Sequence, residues 1–175
     1  MTIVIIYDYD GRHNRAKKKE SYTMPMIDVY TPENLFPAGA ENELGTALAH
    51  AILRAEGVAS PSLFHLDNTA VFIHRLKATD IHTGNTNSAN NVRVQIITPP
   101  GVLNREGQKQ ITKEATEIVA RIAGDDTLLK RTWVILTEAS EGGWGMQGTA
   151  FGVEEFTALA ARAAAPKAAQ EAKED

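Results

Sequence analysis

The residues able to do chemistry in this chain are few in kind, and cysteine is not among them. That removes a thiolate nucleophile, a disulfide framework and a cysteine-based zinc site. His50, His65, His74 and His82 show no metal-ligand spacing and read as surface or core histidines. Guanidinium groups are better placed. Arg75 and Arg93 fall inside strand-like runs and Arg131 begins another. A planar fork grips a carboxylate with two hydrogen bonds, and a strand holds that fork rigidly. Each of the three serves equally well as a strand-edge or subunit-interface arginine. Trp144 stands between Gly143 and Gly145, which let a ligand or a backbone approach it. Trp133 reads as interface packing or a substrate contact. Glu138 ends a strand, as a solvated acid or a helper in proton transfer.

These side chains need a scaffold, and 175 residues are enough for about one domain. The content of 43% hydrophobic and 23% charged residues is that of a soluble globular protein. The apolar run Ile3-Val4-Ile5-Ile6 is far short of the ~20 residues that cross a bilayer. No secretory signal is recognisable, and neither a membrane nor a nucleic-acid partner is expected, since the net charge is −4. A cytoplasmic protein is expected. The charge is uneven: residues 1–24 carry +2, leaving about −6 for the rest. The first segment opens strand-like over 2–9, turns at Asp10-Gly11 and continues into a basic arm with Lys17, Lys18 and Lys19. Residues 163–175 are rich in Ala, Lys and Glu and read as a frayed helix or tail.

Between these ends the chain repeats itself at an offset of 67 residues. Thr31-Pro32 recurs as Thr98-Pro99, Arg54 as Arg121, and Gly57 as Gly124. The stripe Leu44, Leu48, Ala51, Ile52, Ala55 lies on one helical face. The same offset carries it onto Ile111, Ala115, Ile118, Val119 and Ile122.

Each half therefore reads as strand, helix, strand. In the first half these are 26–31, stopped by Pro32, then 41–56, closed at Gly57, then 70–77. In the second they are 92–98, then a helix capped by Asn104 and closed by Gly124, then 131–138. Helices of that length between strands predict right-handed crossovers and a parallel pair in each half. The expected fold is α/β (α+β): a duplicated βαβ unit forming a four-stranded mixed sheet with both helices on one face. The other face carries Phe72 or Ile73 and Trp133 or Val134, too apolar to stay wet, so oligomerisation is expected to cover it. A ferredoxin-like module has the same element order with a fully antiparallel sheet, and is the alternative.

Met24-Pro25-Met26-Ile27-Asp28-Val29 resembles the start of a tautomerase-superfamily protein, where a proline follows the initiator methionine. Val92-Arg93-Val94-Gln95-Ile96-Ile97, the helix after it, and Thr137-Glu138 followed by Gly142-Gly143-Trp144-Gly145 resemble a 4-oxalocrotonate tautomerase subunit almost end to end. Together the halves look like a fused two-unit member. The resemblance implies an N-terminal extension over 1–24, a tautomerase-like domain over 25–150 with halves 25–84 and 92–148, and a C-terminal helix or tail over 151–175.

It also implies a chemistry. With Met24 removed, Pro25 would be a secondary amine, and desolvation with a nearby arginine would bring its pKa toward neutrality. Such a base takes a proton α to a carbonyl and returns it to another carbon, interconverting enol and keto forms, with no metal or cofactor. The expected substrate is a small 2-oxo acid or enol, held by Arg75, Arg93, Trp144 and Trp133. The family's arginine after the first strand meets Leu35 and Val102, and its later strand arginine meets Trp133. That argues against a dicarboxylate. Dehalogenase and decarboxylase relatives carry arginines where this chain reads Thr98-Pro99-Pro100-Gly101-Val102. Keto–enol tautomerisation by a homotrimer is the resulting expectation. The opposite charge of 1–24, and its place outside the repeat, point to Met24 as the start. If that segment stays attached, the Pro25 nitrogen is an amide and Pro25 only begins a strand.

Overall fold

The structure is a computed structural model and describes residues 23–87 and 89–163. The strand-like opening, the basic arm and nearly all of the 163–175 tail lie outside the described residues. The first half contributes β1 (Met26–Pro32), α1 (Glu41–Ala55), the short α2 (Leu63–Asp67) and β2 (Ala70–Leu76). The second contributes β3 (Val92–Thr98), α3 (Arg105–Ala123) and β4 (Thr132–Glu138). A small hairpin follows, β5 (Trp144–Met146) with β6 (Thr149–Phe151), and then α4 (Val153–Ala163).

The four long strands form one mixed sheet in the order β2-β1-β3-β4. β1 and β2 run parallel, as do β3 and β4, while β1 and β3 are antiparallel. The two parallel pairs exclude the ferredoxin-like alternative. Asp28 pairs with Gln95 at the middle of the β1–β3 ladder, and these residues are separated by the repeat offset itself. A pseudo-two-fold therefore passes through that pair and relates the halves.

Alternation along the strands decides what is buried. Ile27 and Val29 of β1 and Val92, Val94 and Ile96 of β3 point toward the helices and are completely buried. They meet Leu44, Leu48 and Ile52 of α1 and Ile111, Ala115 and Val119 of α3 in one core. Each such side chain contributes about 1.5–3 kcal/mol by leaving water. α3 begins where Asn104 accepts a hydrogen bond from the Gly107 N–H (2.9 Å) and ends at Gly124 with φ 66°. α1 ends at Ala55, one residue before the expected 56, with Glu56 as the cap and Gly57 in the left-handed region at φ 88°. The start of α3 crosses the end of α1 closely: a Cβ on Gly107 would lie 2.5 Å from the Ala55 carbonyl oxygen.

Among the described residues, no layer covers the opposite face of the sheet. Phe72, Trp133 and Ile135 lie there, each between 43% and 51% exposed. The choice between Phe72 and Ile73, and between Trp133 and Val134, thus falls on Phe72 and Trp133.

Candidate functional site

Pro25 immediately precedes β1 and is buried. Its carbonyl accepts a hydrogen bond from the Ala70 N–H (3.3 Å), which ties it to the start of β2. The two residues before it are packed into the body: Thr23 is fully buried and Met24 nearly so. The Thr23 hydroxyl donates to Glu56 Oε2 (2.7 Å), whereas Glu56 Oε1 is buried with no hydrogen-bond partner. Burial pushes the Glu56 carboxyl up to about 8, partly offset by the Thr23 hydrogen bond. Its place at the end of α1 adds to the cost of ionising it, since carbonyls converge there. An acid just before the helix-closing Gly57 is the sequence signal that could have singled out Glu56.

A second cluster lies on the open face. Tyr30 of β1 is in register with His74 of β2 and Arg93 of β3, and Arg93 with Trp133 of β4. The four side chains make one row across the sheet. The rings of Tyr30 and His74 are stacked at 4.3 Å, and the Arg93 guanidinium carbon lies 3.9 Å from the Tyr30 centroid. His74 Nε2 is 2.5 Å from Asp28 Oδ1, one step along the same face. Arg93 Nε is buried without a hydrogen-bond partner. An open cavity of about 210 Å³ lies against Arg93, Tyr30 and Trp133, lined also by Ile81, His82 and Asn91 from the segment between β2 and β3.

Of the residues singled out in the sequence, the fold brings Arg93 and Trp133 together. Arg75 lies on the other face, in register with Thr31, and is ion-paired with Glu41 at the start of α1. Pro25 lies five residues before Tyr30 along β1, about 16 Å at strand spacing, so one chain does not join it to Arg93. Trp144 is half-buried on the hairpin, paired with Phe151. Tyr30, Asp28 and Glu56 were not foreseen as site residues. Their signal was weak: Tyr30 and Asp28 are simply alternate residues of a strand, and their face depends on register.

The chain matches no family model and no curated protein sequence. Solved structures resemble it over most of its length. A wild-type fused 4-OT described as a symmetric trimer has a TM-score of 0.61 at 17% identity, covering 74% of this chain and 96% of that one. A fused 4-OT described as an asymmetric trimer has a TM-score of 0.62 at 20% identity, covering 77% and 98%. N1, a member of the cis-3-chloroacrylic acid dehalogenase family, has a TM-score of 0.59 at 16% identity, covering 83% and 96%. With two parallel βαβ halves joined through antiparallel β1 and β3, the chain has the fold of the fused 4-OT structures.

Proposed function

We propose that the protein is a cofactor-independent tautomerase that moves a proton between the enol and keto forms of a small 2-oxo acid, with the Pro25 nitrogen as general base. The observation that carries this reading is the position of Pro25. It is a buried proline at the head of β1, in a fold shared with fused 4-OT. In a chain beginning at Pro25, the nitrogen would be a secondary amine. Its buried surroundings would disfavour the charged form and bring it toward the pKa of an effective base. The amine removes the enol hydroxyl proton or a carbon-bound proton and returns it to the other site, so the substrate is isomerised with no net change in composition.

A 2-oxo acid needs a cation for its carboxylate, and Arg75 and Arg93 are the strand arginines proposed for it, with Trp133 and Trp144 as apolar contacts. Neither position on the sheet lets one chain bring both arginines to one substrate, so the contacts would come from neighbouring copies. A homotrimer with the open sheet faces inward would cover Phe72, Trp133 and Ile135. Dehalogenation is not proposed, because residues 98–102 carry no arginine.

The test is ketonisation of phenylenolpyruvate by a chain beginning at Pro25. Pro25→Ala in that chain should lower the rate by about 100- to 10,000-fold, the usual contribution of a general base. The rate should rise with pH and level off once the proline is deprotonated.

One observation favours a second reading. In the described chain Thr23 and Met24 are packed ahead of Pro25, and the proline nitrogen is an amide. A chain that keeps this segment would be a non-catalytic oligomeric module of the same fold. The intact mass of the protein made from its native gene separates the readings.

A further inference from the structure

The buried contact between Thr23 and Glu56 belongs to one half of the duplication. The offset of 67 carries Pro25 onto Val92, Thr23 onto Asn90 and Glu56 onto Ala123. Asn90 is exposed, and Ala123 is packed against the core with no polar side-chain atom. The half without the proline therefore lacks the acid as well, and the residue in Thr23's place is on the surface. Packing at the end of the helix does not require a carboxyl, since the related half closes with alanine. Burying one is costly, and it is buried only where the proline is.

Glu56 is also within reach of a ligand of Pro25. Met24 is bonded to the Pro25 nitrogen, and the Thr23 hydroxyl donates to Glu56 Oε2 at 2.7 Å. Two residues of chain span at most about 7 Å, so the nitrogen and the acid face one short stretch of space. Thr23 and Met24 fill it, at 0% and 2% exposure. A chain beginning at Pro25 lacks both, and the space opens between its amine and the carboxyl. Glu56 Oε1 is buried with no hydrogen-bond partner among the described residues even while Thr23 is in place.

We infer that Glu56 is a specificity-determining residue of the proline site, receiving a substrate hydroxyl where the Thr23 hydroxyl now sits. The inference rests on the proposed chain beginning at Pro25. The substrate class is then an enol or 2-oxo acid whose apolar group, in the place of Met24, ends in a neutral hydroxyl, as a para-hydroxyphenyl group does. Burial raises the Glu56 carboxyl to about 8 in the full chain. In its protonated form one oxygen accepts the substrate O–H and the acid O–H donates back, so both oxygens are satisfied. A second carboxylate on the ligand would instead face the carbonyl end of α1 and is disfavoured there.

The test compares two substrates in a chain beginning at Pro25. There kcat/KM for 4-hydroxyphenylenolpyruvate should exceed that for phenylenolpyruvate by roughly tenfold or more, because the analogue leaves a buried polar group unpaired. Glu56→Leu should bring the ratio to about one, whereas a purely structural role would change both substrates alike. Glu56→Gln, which keeps a hydrogen-bonding side chain, should keep the preference. A ratio near one in the parent, or a preference that survives Glu56→Leu, overturns the inference and leaves the proline base standing. Should neither substrate turn over, the proline base fails and the full 175-residue chain decides on Glu56. In the full chain the Glu56 carboxyl, followed by carbon NMR, should titrate at about 8. Thr23→Val removes the hydroxyl, keeps the branched shape, and should move that titration higher, because the Thr23 hydrogen bond lowers it. A titration that Thr23→Val leaves in place overturns the inference.

Discussion

Arg93 and Tyr30 are register partners across the antiparallel centre of the sheet, and the guanidinium of one lies on the ring of the other at 3.9 Å. Such a contact contributes about 0.5–2 kcal/mol. Tyr30 lies between His74 and Arg93, and Tyr30, Arg93 and Trp133 line one cavity.

The Glu56 carboxyl makes stability depend on pH. Its pKa is raised from 4.5 to about 8 in the folded chain, so the folded state retains a proton that the unfolded chain releases. The stabilisation is complete below pH 4.5 and declines as the pH rises through about 8. Glu56→Gln removes the titration. In urea unfolding at pH 9 this variant should exceed the parent by a few kcal/mol, on the order of the linkage for such a shift. At pH 5 the two should be close. A parent whose stability does not fall over that range would contradict the buried, protonated carboxyl.

Gly107 is required by the crossing of two helices. A methyl there meets the Ala55 carbonyl oxygen at 2.5 Å and the Leu103 side chain at 2.9 Å. The helix propensity of alanine would favour the change by about 1 kcal/mol. The clash is with backbone, so Gly107→Ala should instead lose about 1–3 kcal/mol in chemical denaturation. A more stable variant would show that the crossing relaxes easily.

The open face predicts assembly. Phe72 and Ile135 are large, exposed and on the same side as Trp133. Light scattering of the full chain should give the mass of a trimer, and Ile135→Glu should shift it toward monomer because the charge would be buried at the contact. A monomeric parent at micromolar concentrations would contradict this.

Local signals in the sequence were read well because their causes are local. Asn104 begins α3 and Gly124 ends it through hydrogen bonding and φ at those residues alone. The repeat offset of 67 gave the two halves, and the Asp28–Gln95 pair shows the offset as a relation in space. What depended on register was less legible. Whether Arg75 or His74 faces the helices follows from the pairing of β1 with β2, and one residue of slip exchanges the faces. Arg75 and Arg93 therefore looked equivalent in sequence and lie on opposite faces. α2 is too short for helical periodicity, and the Trp144 hairpin has strands of only three residues. Glu56 was missed because its buried hydrogen-bond partner, Thr23, lies 33 positions away.

The proposed role of Pro25 is tested most directly by comparing two chains in the ketonisation of phenylenolpyruvate, one complete and one beginning at Pro25. The complete chain has an amide at that nitrogen and should show no rate above the buffer. The chain beginning at Pro25 should be faster by about 100-fold or more, as expected for a positioned general base. Equal rates from the two chains would contradict the proline mechanism.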